Sequence, residues 1–298
     1  MGSAVRKFVS SFLPQALILI LIFLAGCSTT ETLRSTAETS LDLTPTAKDA
    51  VIVVDANNGN TLFQSNASAP RYPASLTKMM TLYMLFEALE QGRVSKSTLI
   101  PVSAYAAARP PSKIGFRAGD TIQVESAIQA LCTKSANDVA AAVAEYLAGS
   151  EGGFAALMTT RARQLGMTGT SFRNASGLPD DGQHTTARDM ALLGIALRQR
   201  FPDQYAYFSA REFAYRGRTV RGHNDLIGRV PGVDGIKTGY IRASGYNIVT
   251  SVQDSGRRLV VVVMGGKTAK ARNAQVEELI ARYLPSASRS GGVVVAQR

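Results

Sequence analysis

The feature that most restricts the fold is a change of period near the C-terminal end. After a middle region with helical spacing, the apolar period drops from 3.6 to 2, giving strand-length runs at 235–240, 246–252 and 258–264. Asp254-Ser255-Gly256 is a turn signal between the last two, so the runs are expected to form one antiparallel sheet. Residues 269–284 then read as an amphipathic helix with Val276, Leu279, Ile280 and Tyr283 on one face. Near the other end, 51–55 reads as a strand, Asn57-Asn58-Gly59-Asn60 as its turn and 61–63 as the return strand. The helix can pack on the sheet together with this hairpin, so the two ends of the domain are expected to meet.

The intervening chain is helical. Helices are expected from Ser75 to about 91, at 124–131, at 138–147 before Gly149, at 154–165 before Gly166, and from the Thr185-Thr186 cap to about 200. A short strand is expected at 99–102. The class is therefore α+β, a sandwich of sheet and helices with an all-helical subregion.

The 298 residues include 45% hydrophobic and 18% charged side chains, enough to bury a substantial core. The formal charge is +11, of which Arg6 and Lys7 carry two, leaving +9 beyond the leader. Such a surface attracts anionic material. Basic runs interleaved with aromatics are missing, as are zinc-finger spacings, so nucleic acid is not expected as a partner and a polyanionic cell envelope is. With only His184, His223 and two distant cysteines, no metal or other cofactor is expected.

Residues 1–26 read as a signal peptide, with Arg6 and Lys7 before an apolar run over 16–25 that is too short to span a membrane. Leu24-Ala25-Gly26-Cys27 resembles a bacterial lipobox, which implies cleavage before Cys27 and diacylglycerol on its thiol. The expected product is an exported, periplasmic lipoprotein, membrane-bound through its N-terminal lipid, and Ser28 after the cysteine favours the outer membrane. Residues 27–47, rich in Ser, Thr and Glu, read as a flexible tether reaching roughly 70 Å when extended. A folded domain over 48–285 and a disordered basic tail over 286–298 complete the expected organisation. Cys132, in the apolar setting Ala130-Leu131-Cys132, is expected to pack as a small hydrophobe.

Three short motifs carry chemistry. In Ser75-Leu76-Thr77-Lys78, positions i and i+3 share a helix face, so a hydroxyl nucleophile and an amine base can meet if the amine is held neutral. Ser135-Ala136-Asn137 lies between two helices, and Lys237-Thr238-Gly239 lies on the first strand of the final sheet. Each alone has a bland reading, as a helix cap or a solvated strand residue. Their order, Ser-x-x-Lys, Ser-x-Asn, Lys-Thr-Gly, with gaps of about 60 and 100 residues, argues against coincidence.

Through Ala74-Ser75-Leu76-Thr77-Lys78, Lys134-Ser135-Ala136-Asn137-Asp138, Ser176-Gly177-Leu178, Thr186-Ala187-Arg188-Asp189 and Gly235-Ile236-Lys237-Thr238-Gly239-Tyr240, the chain resembles the serine D-alanyl-D-alanine carboxypeptidases, low-molecular-mass penicillin-binding proteins of peptidase family S11. The resemblance spans about 47–285. It implies a β-lactamase/transpeptidase-like fold, a five-stranded antiparallel sheet with helices on both faces and the nucleophile at the sheet edge. It also implies peptidoglycan stem peptides as substrate and β-lactams as covalent inhibitors. On that reading Ser75 attacks the carbonyl between two D-alanines, Lys78 is the general base, and Ser135 relays the proton to the leaving amine. Lys237 near Lys78 would lower its pKa. Asn137 would hold the lysine and a substrate carbonyl, Lys237 and Thr238 the terminal carboxylate, and Gly239 would keep the strand edge open. The amides of Ser75 and Tyr240 would form the oxyanion hole.

Two departures from the family pattern stand out. Fewer than 15 residues follow Pro285, where many members carry a further β-rich domain and membrane helix, and the lipid at Cys27 would replace that anchor. No acid occurs over 166–179, so efficient β-lactam hydrolysis is not expected. An endopeptidase cutting D-alanyl cross-links and a non-catalytic peptidoglycan-binding lipoprotein remain the alternatives. His184 is expected to be structural, Asn224 to stabilise a turn, and Arg242 to be either a carboxylate ligand or a surface residue.

Overall fold

The computed structural model describes residues 48–290. The leader, Cys27, the tether through 47 and residues 291–298 lie outside them. The first half contains β1 (Ala50–Asp55), β2 (Thr61–Ser65), a 3-10 turn (Ala74–Thr77) continuous with α1 (Lys78–Glu90), β3 (Leu99–Pro101) and the single turn α2 (Ala104–Ala107). Next come β4 (Thr121–Gln123), α3 (Val124–Gln129), a π turn (Ala130–Lys134), α4 (Asn137–Ala148) and α5 (Glu151–Gln164). The second half contains α6 (Ala187–Arg200), the single turn α7 (Pro202–Tyr205), β5 (Glu212–Tyr215), β6 (Arg218–Arg221), β7 (Val233–Ile241), β8 (Gly245–Asp254), β9 (Arg257–Gly266) and α8 (Ala269–Tyr283).

Five strands form one sheet in the order β2-β1-β9-β8-β7, every pair antiparallel. The pairing of Ile52 with Val262 joins the first hairpin to the last, so the domain's two ends meet as its sequence predicts. Ile52, Val54, Val260 and Val262 join Leu193 and Leu197 of α6 in the large core. Their alternates Val51, Val53, Val261 and Val263 are also buried, on the face where α8 packs through Val276, Leu279 and Ile280. Burying each such side chain stabilises by about 1.5–3 kcal/mol. α6 crosses the sheet at Gly194, where a Cβ would lie 3.1 Å from Ile236 and 3.3 Å from Val249.

The helical layer is built on α4, whose Ala140, Ala141, Ala142 and Ala144 are all buried. These small side chains let α1, α2 and α5 pack closely around it. Glu87 of α1 sits nearly dry between Arg161 of α5 and Arg200 of α6, which ties three helices together.

Several expectations need correction. The α-helix begins at Lys78, and Ser75 stands on the 3-10 turn before it, where i and i+3 eclipse and bring the two side chains closer than α geometry would. The helix expected at 124–131 changes to a π turn at Ala130 and stops at Ser135, which is left-handed with φ 59°. The strand at 99–102 has a partner, β4, that hydrophobic periodicity does not reveal because only its central Ile122 is buried. The β5–β6 hairpin was likewise not legible; its Arg216-Gly217 turn has positive φ at both residues. The chain past Pro285 is still held at 287–290: Ala287 is buried, Ser288 N donates to Asp55 Oδ2 at 2.6 Å, and Ser290 N donates to Gly256 O at 2.7 Å.

Candidate active site

β7 is an edge strand, and the turn carrying Ser75 lies against it. This closeness depends on Gly239, where a Cβ would stand 3.0 Å from Ser75 N and 3.2 Å from Leu76 N. Asn247, fully buried on β8, clamps the approach to the turn: its Nδ2 donates to Tyr72 O at 3.1 Å and Pro73 O at 3.3 Å, and its Oδ1 accepts from Gly265 N. On the opposite side Gly177, with φ +87°, faces Ala74, and a Cβ there would fall 1.8 Å from Ala74 O. The turn of Ser75 is thus held between a strand and a loop by two glycines.

Lys78 lies fully buried beneath Ser75. Its Nζ is 3.1 Å from Ser75 Oγ, 2.7 Å from Asn137 Oδ1 and 2.6 Å from the carbonyl of Ser176. Burial pushes its pKa well below the usual lysine value; the charge of Lys237 pushes it further, while Glu151 and Asp138 pull the other way. A neutral amine has two hydrogens and one lone pair. Asn137 and Ser176 accept the hydrogens, which leaves the lone pair for the Ser75 hydroxyl proton.

The second motif closes the cleft from the helical side. Asn137 N donates to Ser112 O at 2.7 Å and its Nδ2 to Pro110 O at 2.9 Å, so one amide hydrogen remains for a substrate carbonyl. Asp138 holds the same loop by accepting from Ile114 N and Gly115 N. Ser135 Oγ is buried and has no hydrogen-bond partner among the described residues. Glu151 accepts from Ala175 N at 3.0 Å and from Tyr105 OH at 2.6 Å, which fixes the loop that offers Ser176 O to Lys78.

A cavity of about 550 Å³ opens over these groups, with Ser75, Ser135, Asn137, Thr238, Gly239 and Tyr240 on its walls. Lys237 lies one layer behind, buried, with Nζ donating to Thr238 O at 2.8 Å; burial pushes its pKa down to about 7, with the Arg272 charge adding to the effect and Cys132 opposing it. Cys132 is a free thiol packed against the core, and burial pushes its pKa up. Positive charge is concentrated at this end of the cleft.

The cleft also contains residues to which the sequence assigned no place there. His223, Asp225, Tyr246 and Arg272 line it. Burial pushes the His223 imidazole down, and the charges of Lys237 and Lys134 add to the shift. Arg272 is buried at the start of α8 with Nη1 on Asn247 O at 3.2 Å, and burial lowers it to about 10. An arginine in the buried stripe of an otherwise amphipathic helix was the signal for it. Arg242, in contrast, is exposed and outside the cleft, its carbonyl accepting from Lys48 Nζ. His184 pairs through its backbone with Ser171 and lines a separate groove beside Tyr72. Asn224 Oδ1 accepts from Leu226 N at 3.2 Å, within a turn.

A five-stranded antiparallel sheet flanked by helices, with a serine on a 3-10 turn above a dry lysine at the sheet edge, defines the class of penicillin-binding, β-lactamase-like serine proteins. Within that class, the model of the peptidase S11 family, D-alanyl-D-alanine carboxypeptidase, matches residues 35–268, and the chain belongs to this family. D-alanyl-D-alanine carboxypeptidase DacA of Escherichia coli K12 is 36% identical over 239 residues, covering 78% of this chain and 59% of DacA. DacF of Bacillus subtilis is 34% identical over 244 residues, covering 80% and 62%. The chain therefore spans about 60% of the length of these curated relatives. Among solved structures, penicillin-binding protein 5 of Haemophilus influenzae superposes with a TM-score of 0.75 at 31% identity, covering 79% of this chain and 70% of that one. Penicillin-binding protein D2 of Listeria monocytogenes in its ampicillin-bound form gives 0.68 at 30%, covering 78% and 95%.

Proposed function

We propose that the protein is a serine DD-carboxypeptidase that hydrolyses the D-Ala-D-Ala bond of peptidoglycan stem peptides. The observation that carries this reading is the buried Lys78 amine, whose Nζ lies 3.1 Å from Ser75 Oγ and is held there by two fixed acceptors. Ser75 Oγ attacks the penultimate D-alanine carbonyl while its proton passes to Lys78 Nζ. The backbone amides of Ser75 and Tyr240 receive the oxyanion, a term worth about 3–4 kcal/mol per donor in comparable sites. As the C–N bond breaks, Ser135 Oγ gives its proton to the departing amine of D-alanine and takes in turn the one held by Lys78, and water then hydrolyses the ester with the neutral Lys78 again acting as base. Thr238 holds the free carboxylate at the cleft wall, with the charges of Lys237 behind it and Arg272 beside it reinforcing the site.

The curated relatives named as carboxypeptidases favour this reading over an endopeptidase or a non-catalytic binding protein. A relative captured in its ampicillin-bound form supports acylation of Ser75 by β-lactams here. Export and lipidation at Cys27, with outer-membrane anchoring, are proposed from Leu24-Ala25-Gly26-Cys27 alone. Incorporation of labelled palmitate that disappears in Cys27→Ala tests the lipid. For the chemistry, the purified protein is expected to bind fluorescent penicillin covalently and to remove one alanine mass from pentapeptide muropeptides. Conversion of cross-linked dimers to monomers without alanine release would overturn the carboxypeptidase assignment, and labelling that persists in Ser75→Ala would overturn the nucleophile.

A further inference from the structure

A second groove, of about 390 Å³, opens between the C-terminal half of α6 and the β8–β9 hairpin. Arg198, Arg257 and Arg258 line it together with Asn57, Gln199 and Ser251, and no carboxylate is among its lining residues. Arg258 is buried and already partnered: its Nη1 donates to Asp234 Oδ2 and Ser251 Oγ, both at 2.8 Å, and its Nη2 donates to Gln253. The other two guanidinium groups meet no carboxylate among the described residues. Arg198 lies over the Tyr205 ring at 5.5 Å, Arg257 donates through Nε to Ala287 O, and neither forms an ion pair among the described residues. Asp254, the ladder partner of Arg257, shares its carboxylate with Ser255 Oγ instead.

Two such cations in one groove repel each other, and an anion placed between them removes that cost. The groove lies well away from Ser75. Gly239 pairs with Asn247, and Ser251 and Asp254 lie four and seven residues further along β8, roughly 14 and 24 Å at strand rise. A small substrate in the cleft therefore cannot reach it, whereas a polymer bearing many stems can reach both. Guanidinium forks match carboxylates in geometry, and each stem of the proposed substrate carries carboxylates.

We propose that this groove is an accessory site for the carboxylates of a neighbouring stem peptide on the same peptidoglycan polymer, which holds the enzyme on its substrate between turnovers. The inference rests on the carboxypeptidase reading. Its effect is avidity: a second weak contact raises the occupancy of a polymer without changing the chemistry at Ser75.

The test is co-sedimentation of the purified full chain with isolated sacculi, comparing wild type with the R198A/R257A double variant. Loss of two charge-assisted contacts at a half-exposed site is expected to weaken sedimentation about tenfold, while fluorescent-penicillin labelling and hydrolysis of a soluble pentapeptide stay at wild-type levels. The difference between the two proteins is expected to vanish on sacculi whose carboxyl groups have been amidated with carbodiimide and ethanolamine. A control variant, R93A/K96A, removes two exposed charges elsewhere and is expected to sediment like wild type. Equal sedimentation of wild type and R198A/R257A would overturn the proposal. So would a difference that survives amidation, which points to phosphate or another anion, or an equal loss in R93A/K96A, which points to bulk charge. Failure of the wild type to react with penicillin would instead count against the carboxypeptidase reading.

Discussion

Lys78 Nζ stands 2.7 Å from Asn137 Oδ1, a contact that joins the first turn of α1 to the first residue of α4 across 59 positions of sequence. The acceptor is an amide, so it orients the amine without adding charge. Asn137→Asp keeps the shape and places a carboxylate there, which favours the ammonium form of Lys78 and raises its pKa. In the proposed mechanism acylation needs the neutral amine. The acidic limb of the penicillin-acylation rate is therefore expected to move to higher pH, by at least one unit, with the rate near pH 7 falling about tenfold or more. An unshifted limb would show that Asn137 does not set the protonation of the base.

Lys237 carries a second pH signature, this time in stability. Its folded value is about 7, against roughly 10.4 for an unfolded lysine. Between those values the unfolded chain binds more protons than the folded one, so this group's contribution to stability rises with pH through that window. Its cost to folding is fully present at and below about pH 7. Lys237→Met removes the charge and retains most of the length. The melting temperature is expected to rise by several degrees near pH 7, the gain shrinking as pH approaches 10, while KM for a D-alanyl substrate rises. A stability change independent of pH would sink this account.

Gly177 and Gly239 are expected to fail differently. At Gly177 an added Cβ meets Ala74 O at 1.8 Å and the backbone has φ +87°, so Gly177→Ala is expected to cost about 3 kcal/mol or more of stability by denaturant unfolding. At Gly239 the Cβ would meet Ser75 N at 3.0 Å, a distance that a small shift of the turn relieves. Gly239→Ala is expected to keep most of its stability and lose penicillin acylation by about tenfold or more, because the shift moves an oxyanion donor. Equal stability loss in both variants would contradict the distinction.

The side chains of the three motifs were more legible in the chain than the scaffolding that positions them. Ser75, Lys78, Ser135, Asn137, Lys237 and Thr238 could be picked out because they stand in short motifs of chemically distinctive side chains, and the structure gathers them at or just behind one cleft. The final sheet was legible because β8 and β9 are buried on both faces and therefore rich in β-branched residues. What the chain did not disclose acts through backbone or at long range. Ser176 stands in a recognisable Ser-Gly-Leu motif, but its part in the site is only a carbonyl offered to Lys78, which no side-chain pattern signals. Glu151 fixes that loop from another helix, and Arg272 enters the cleft from α8, beyond the last motif. The left-handed Ser135 was also hidden, since a serine before a helix reads as an ordinary cap, whereas here it ends a π turn.

Ser135 offers the sharpest separation of function from stability. Its Oγ makes no hydrogen bond among the described residues, so removing the hydroxyl breaks no contact within the protein. Removing it leaves a β-carbon in the same left-handed backbone, with φ 59° unchanged. A cap serine would behave oppositely, because its loss costs about 1 kcal/mol. Ser135→Ala is therefore expected to melt at or slightly above the wild-type temperature and to retain the secondary structure of the wild type. Its turnover of a D-Ala-D-Ala peptide is expected to fall about a hundredfold or more, with the loss in kcat rather than KM, since the hydroxyl meets its partner only when the leaving amine needs a proton. A variant that loses stability and activity together would return Ser135 to a structural role and leave the proton transfer to Lys78 alone.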